Sequence, residues 1–145
     1  MRVLRHLFAP PAQRLFPAAT MDRIAGAIAD GERRHVGQVC FAVEPALHWR
    51  VVFGGTSPRQ AAEDAFSRLR VWDTERNNGV LLYLLLADRR IEIVADRGLH
   101  GVVDDAHWRA ICERMEGGLR NGDAEAAVVG AIGAISDLLA HAFPA

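Results

Sequence analysis

Residues Val80 to Ala87 read Val-Leu-Leu-Tyr-Leu-Leu-Leu-Ala, an almost unbroken apolar run. A run this short, set between Asn78-Gly79 and Asp88-Arg89, predicts a strand covered on both faces. Asp88-Arg89 forms a tight turn. Beyond it, Ile91, Ile93 and Ala95 alternate with Glu92, Val94 and Asp96, the pattern of a half-buried partner strand in a hairpin. Upstream, Val39-Cys40-Phe41-Ala42-Val43, closed by Glu44-Pro45, predicts another strand buried on both faces. Between these strands lies a helix capped by Ser57, with Pro58 at its first position and Ala61, Ala65, Phe66 and Leu69 on its apolar face. A helix joining two buried strands implies a parallel pair with a right-handed crossover.

Periodicity gives the remaining helices. Thr20 caps a helix with the stripe Met21, Ile24, Ala25 and Ile28, and Gly37 stops it. Asp104 or Asp105 caps a helix carrying Trp108, Ile111, Cys112 and Met115, ended by Gly117-Gly118. A last helix runs from Asp123 to His141 on Val128, Ile132, Ile135 and Leu139. Trp49, Val51, Val52 and Phe53 fit either a short strand or a connection, broken by Gly54-Gly55. The order helix, strand, helix, strand, strand, helix, helix gives an α/β fold. It is a three-layer sandwich with a central mixed β-sheet and helices on both faces.

The chain has 145 residues, the length of one domain. Residues 20–143 form that domain, and residues 1–19 form an amino-terminal extension. In it Leu4, Leu7 and Phe8 can pack as one helical turn, and Leu15 and Phe16 can dock on the domain. Arg2 and Arg5 resemble the start of a targeting signal, but His6, Pro10 and Pro11 interrupt the apolar stretch such a signal needs. A cytoplasmic protein with reduced cysteines is therefore expected. No apolar run reaches the length of a membrane span.

Composition excludes several chemistries. The net charge is -1, so nucleic acid is not an expected partner. All 17 basic residues are arginine, which removes Schiff-base and P-loop lysine chemistry. Neither GxGxxG nor GxSxG occurs, so no nucleotide or other organic cofactor and no hydrolase serine are expected. Cys40 and Cys112 read as small core residues, and the six histidines form no metal pattern. Trp49, Trp72 and Trp108 read as core or rim residues.

The hairpin places the start of its first strand and the end of its second at the same edge of the sheet. Asp73, Glu75, Asn77 and Asn78 precede Val80; Asp96 and Arg97 come after Ala95, and Asp104 and Asp105 lie within ten residues. Glu32 and His35, at the end of the first helix, are expected near the same edge. Several carboxylates with Asn side chains suit a hard cation, Ca²⁺ or Mg²⁺, and Ca²⁺ accepts the more flexible oxygen set. The candidate metal residues are Asp73, Asn77, Asn78, Asp96, Asp104 and Asp105, with Arg97 as an anion contact. The bland alternative stays open: Asp104 and Asp105 cap a helix, Asn78-Gly79 turns the chain, and Asp73 pairs with Arg76 or Arg97.

The segments Gln38 to Glu44 (QVCFAVE), Arg70 to Leu99 (RVWDTERNNGVLLYLLLADRRIEIVADRGL) and Arg120 to Ile135 (RNGDAEAAVVGAIGAI) carry a resemblance. With Asn-Asn-Gly before an apolar strand and Asp-Arg at the hairpin turn, the chain resembles the TPM domain family over more than three quarters of its length. The resemblance implies an α/β sandwich. It also implies divalent-cation binding, notably of calcium, and an association with acid phosphatase activity through a plant thylakoid-lumen member. It maps Asn77, Asn78 and Gly79 onto the family's Asn-Asn-Gly and Asp104 onto the acidic position opening the next helix. Two departures stand out. Many relatives carry an export signal and a membrane tail, so a standalone bacterial-type form is expected here. Asp96-Arg97-Gly98 stands where many members read Gly-Tyr-Gly.

The leading expectation is a cation-binding interaction or regulatory module. A metal-assisted phosphatase is the alternative, with Arg97 as phosphate clamp and an Asp or His100 as proton shuttle. A structural scaffold that docks another protein through Trp49 to Phe53 or the Leu4, Leu7, Phe8 patch is the third.

Overall fold

The computed structural model describes residues 12–47 and 54–145. The elements are α1 (Ala12–Leu15), α2 (Ala18–Glu32), β1 (Gln38–Glu44), α3 (Pro58–Arg68), β2 (Gly79–Leu85), β3 (Arg90–Ala95), a 3₁₀ turn (Arg97–Leu99), α4 (Asp105–Arg120) and α5 (Ala124–Ala142). The sheet order is β1-β2-β3. β1 runs parallel to β2, with Gln38 opposite Gly79, and β3 runs antiparallel, with Val80 opposite Ala95. The mixed sheet expected from the apolar runs is therefore present.

The period of two along β2 divides the interior. Val80, Leu82 and Leu84 face a core shared with Ile24 of α2, Ile111 and Met115 of α4, and Val128, Ile132, Ile135 and Leu139 of α5. Leu81, Tyr83 and Leu85 face Ala61, Ala62 and Ala65 of α3. Every residue of β2 is buried because it alone has a strand on each side and helices above and below. β1 departs from expectation: only Val39 is fully buried, and the rest of the strand is half-buried or exposed. In this sheet order β1 lacks the second neighbour that β2 has.

Several helix ends differ from the sequence reading. α2 begins at Ala18, after Pro17, and Thr20 lies buried within it instead of capping it. The Thr20 hydroxyl bonds the Glu125 carboxylate, and with Arg23, 2.8 Å away, it holds that acid below its ordinary pKa. α2 thus docks on α5 by its first turn. Phe16 is buried against Phe41, with ring centroids 5.6 Å apart, whereas Leu15 is exposed.

Gly117-Gly118 does not end α4, which continues to Arg120. Gly118 is small because α5 crosses there: a Cβ would stand 2.8 Å from that of Ala127. The stop is Gly122, at φ +79. Gly122 N–H donates to the Leu119 carbonyl and Asp123 N–H to that of Gly118, the paired bonds of a Schellman end. At α3 the expected Ser57 cap is present, with Gln60 completing a capping box.

Gly26 sits inside α2 with open space where a Cβ would stand. Gly26→Ala is expected to raise stability by about 0.5–1 kcal/mol, because a mid-helix glycine loses more backbone freedom on folding than alanine does. The urea midpoint should rise at an unchanged m-value.

α5 is the one described helix long and apolar enough to cross a membrane by length and composition. Its Val128, Ile132, Ile135 and Leu139 lie fully buried in the core. The segments Leu4 to Phe8 and Trp49 to Phe53, the expected docking patches, lie outside the described residues.

Candidate functional site

Three loops meet at one edge of the sheet: residues 33–37 before β1, 69–78 before β2, and 96–104 after β3. The register of β1, β2 and β3 brings them there, and main-chain bonds tie them together. Asp96 N–H donates to the Gly79 carbonyl at 2.9 Å, and Gly98 N–H to that of Asn77 at 2.8 Å. Gln38 N–H donates to the Asn78 carbonyl at 3.4 Å. Two glycines allow the close approach. A Cβ on Gly79 would strike the Val71 carbonyl, and one on Gly98 would strike the carbonyls of Arg76 and Asn77.

The Asn-Asn-Gly residues divide their work. Asn77 takes a left-handed turn at φ 53, which asparagine tolerates better than most residues. Asn78 is 1% exposed. Its backbone N–H donates to the Thr74 hydroxyl at 3.0 Å, and its side-chain Nδ2 to the Val36 carbonyl at 3.4 Å. Asn78 therefore fastens the β2 loop to the β1 loop and acts as a positioning residue.

The carboxylates are not gathered into one centre. Among the described residues, no group of three or more His, Cys, Asp or Glu side chains is placed to hold a metal ion. Asp73 is exposed and pairs at 2.9 Å with Arg70, not with Arg76 or Arg97. The Arg70 guanidinium also lies over Trp72, 5.4 Å from the ring centroid. Asp104 is the α4 cap, accepting from Ala106 N–H at 3.3 Å, and Asp105 begins the helix beside it. Both are exposed.

Asp96 is different. Its Oδ1 accepts from Arg97 N–H at 2.8 Å and caps the 3₁₀ turn. Its Oδ2 is buried and has no hydrogen-bond partner among the described residues. A carboxylate oxygen removed from water without a partner is costly, so Asp96 Oδ2 calls for a compensating positive group or donor. Arg97 next to it is exposed.

A groove of about 480 Å³ runs between β3 and α4 beside this edge. Arg59, Glu92, His100, Trp108, Arg109 and Cys112 are among its lining residues. Sequence reading missed it, because Arg59 comes from α3 on the other face of the sheet. Arg59 donates to the Ile93 carbonyl at 2.6 Å and lies 3.6 Å from Glu92, so it occupies the outer edge of β3. Burial pushes the Cys112 thiol up to about 11 and raises that of Cys40, which leaves neither as a thiolate nucleophile near neutral pH.

The sequence pattern of the TPM domain matches residues 12–138. Among solved structures, the chain is similar to the BA42 protein of the psychrophilic bacterium Bizionia argentinensis. The identity is 26% with a TM-score of 0.77, over 89% of this chain and 84% of that one. It also shares its fold with the N-terminal domain of a protein from P. gingivalis. There the identity is 21% with a TM-score of 0.70, over 89% of this chain and 79% of the other. No curated protein matches the chain. With the mixed sheet, the helices on both faces and the Asn-Asn-Gly edge in place, the match over most of its length means that the chain belongs to the TPM domain family.

Proposed function

We propose that this domain binds a divalent cation, Ca²⁺ in preference to Mg²⁺, at the loop edge around Asp96, and serves as an interaction or regulatory module. The observation that carries the reading is the buried Oδ2 of Asp96, which has no hydrogen-bond partner among the described residues. A cation would offset the cost of that buried oxygen. Ca²⁺ accepts carboxylate, amide and main-chain carbonyl oxygens together with waters, in flexible geometry. Asp96 would supply the carboxylate, and Asn77, in the loop bonded to the Asp96 turn, an amide oxygen. The exposed Asp73, Asp104 and Asp105 add negative potential around the edge, which salt screens.

Asp96→Asn keeps the shape of the turn and removes the charge. Calorimetric Ca²⁺ titration should show binding weakened at least about tenfold, the equivalent of one lost charged ligand at roughly 1.4 kcal/mol. Equal affinity in the wild type and Asp96→Asn would refute the site.

One observation favours phosphate-ester chemistry as a second reading. The Arg97 guanidinium is exposed in the turn that Asp96 caps, and none of the ion pairs among the described residues holds it. Hydrolysis of an aryl phosphate that depends on both Asp96 and Arg97 would support a metal-assisted phosphatase. Hydrolysis that survives both substitutions would place the activity in a contaminant.

A further inference from the structure

Among the described residues one histidine is buried: His35, 3% exposed, in the loop between α2 and β1. Gly37 N–H donates to its Nδ1 at 3.1 Å. Nδ1 therefore carries no proton, and the hydrogen of the neutral ring sits on Nε2. Nε2 is buried without a partner among the described residues, and so is Oγ of Ser136 in α5. Both close on the point where a Cβ of Gly31 would stand.

The same loop holds the last residues of the described chain. His35 forms a bridge with Pro144, Val36 N–H donates to the Phe143 carbonyl at 3.0 Å, and Ala145 N–H donates to that of Arg34 at 3.1 Å. It also holds the Asn-Asn-Gly loop, through the Asn78 amide on the Val36 carbonyl.

We infer that His35 is an acid-opened latch, closed while its ring is neutral, that joins the start of β1 to the carboxy-terminal segment. A second proton has to go to Nδ1. That ends the bond from Gly37 N–H and leaves a buried imidazolium. The charged group acting on the ring is Arg34, which opposes the proton and is itself held at 2.8 Å by Asp137 of α5. Gly31 from α2, Ser136 from α5 and Pro144 are uncharged, so no carboxylate among these neighbours neutralises the imidazolium. The latch is independent of the cation reading, although it acts on the loop that Asn78 anchors.

Burial above all, with a smaller push from Arg34, holds the folded His35 below its ordinary 6.5. The latch is therefore fully closed above pH 6.5 and weakens as pH falls from there through the lower folded value. The test is amide hydrogen exchange by NMR on the full chain from pH 7.5 to 5, corrected for the intrinsic exchange rate.

Protection of Val36, Gly37 and Ala145 should fall together, by up to about tenfold per pH unit in that window, while Leu82 and Leu84 stay protected. The fall should begin near pH 6.5 and level off where the His35 ring protons of the closed state titrate. His35→Asn places an amide oxygen near the Nδ1 position without a titrating group, and should leave the three amides flat with pH. The latch is overturned if these amides hold their protection while the ring titrates, or if β2 loses protection in step with them. It is also overturned if the pH dependence persists in His35→Asn. The wild-type comparison decides the matter even if that variant does not fold.

Discussion

Leu82→Ala should lower the unfolding free energy by about 2–5 kcal/mol, the range for a large side chain removed from a rigid core. Leu82 is fully buried at the middle of β2, opposite Phe41 on one side and Ile93 on the other. Its side chain enters the core that α2, α4 and α5 share. A site clamped by two strands and a helical layer collapses little, so most of the cavity should persist. Urea unfolding should show the midpoint fall at a nearly constant m-value. Leu69 gives the contrast: it is 48% exposed, and Leu69→Ala should change stability by no more than about 0.5 kcal/mol. Equal losses at the two positions would mean that β2 is not the centre of the core.

Gly98→Ala should have the second largest effect, and a local one. The added methyl would meet the carbonyl oxygens of Arg76 and Asn77. These are main-chain atoms, so no rotamer change relieves the clash. Asn77 is already fixed in a left-handed turn, and its carbonyl receives the Gly98 N–H. Either the Asp96 turn or the Asn-Asn-Gly loop must move, at a cost of about 1–3 kcal/mol for overpacking. Ca²⁺ affinity should fall with it, since Asp96 and Asn77 are parted. Chemical shifts should move in residues 74–79 and 96–99 and stay constant in α5. Gly101→Ala is the control, because Gly101 has open space around it but takes φ +78. It should lose about 1–2 kcal/mol from the backbone conformation alone and keep its Ca²⁺ affinity.

The sheet was legible because apolar runs and a period of two survive in the sequence without knowledge of the third dimension. Val80 to Leu85 has the length and composition of a central strand, and the hairpin fixed which loops share an edge. Helix ends were less legible. Thr20 has the chemistry of a cap, yet its hydroxyl serves Glu125, more than a hundred residues away in the chain. Gly118 looks like a stop, yet it marks a helix crossing.

Within the site, proximity of loops was readable and the direction of each side chain was not. Asp73 turns to Arg70, Asp104 to its own helix, and Asn78 to Val36. Asp96 was one acid among several in the sequence, and only its burial separates it from the rest. His35 was placed near the right edge, but its bond to Gly37 depends on a turn that no spacing rule announces.

The mixed pairing of β2 also orders events during folding. The β2–β3 ladder closes across a turn of a few residues, so it can form on the microsecond scale of an isolated hairpin. The parallel ladder must wait for the long connection between Glu44 and Gly79 to close, and loop closure of that length slows it. In the interval the Gly79–Leu85 strand, wholly apolar, has one edge bare. That edge is a template for pairing with any other chain in the same state. Refolding yield should therefore depend on protein concentration far more steeply than the compact native surface implies, and the vulnerable moment ends when Gln38–Glu44 docks.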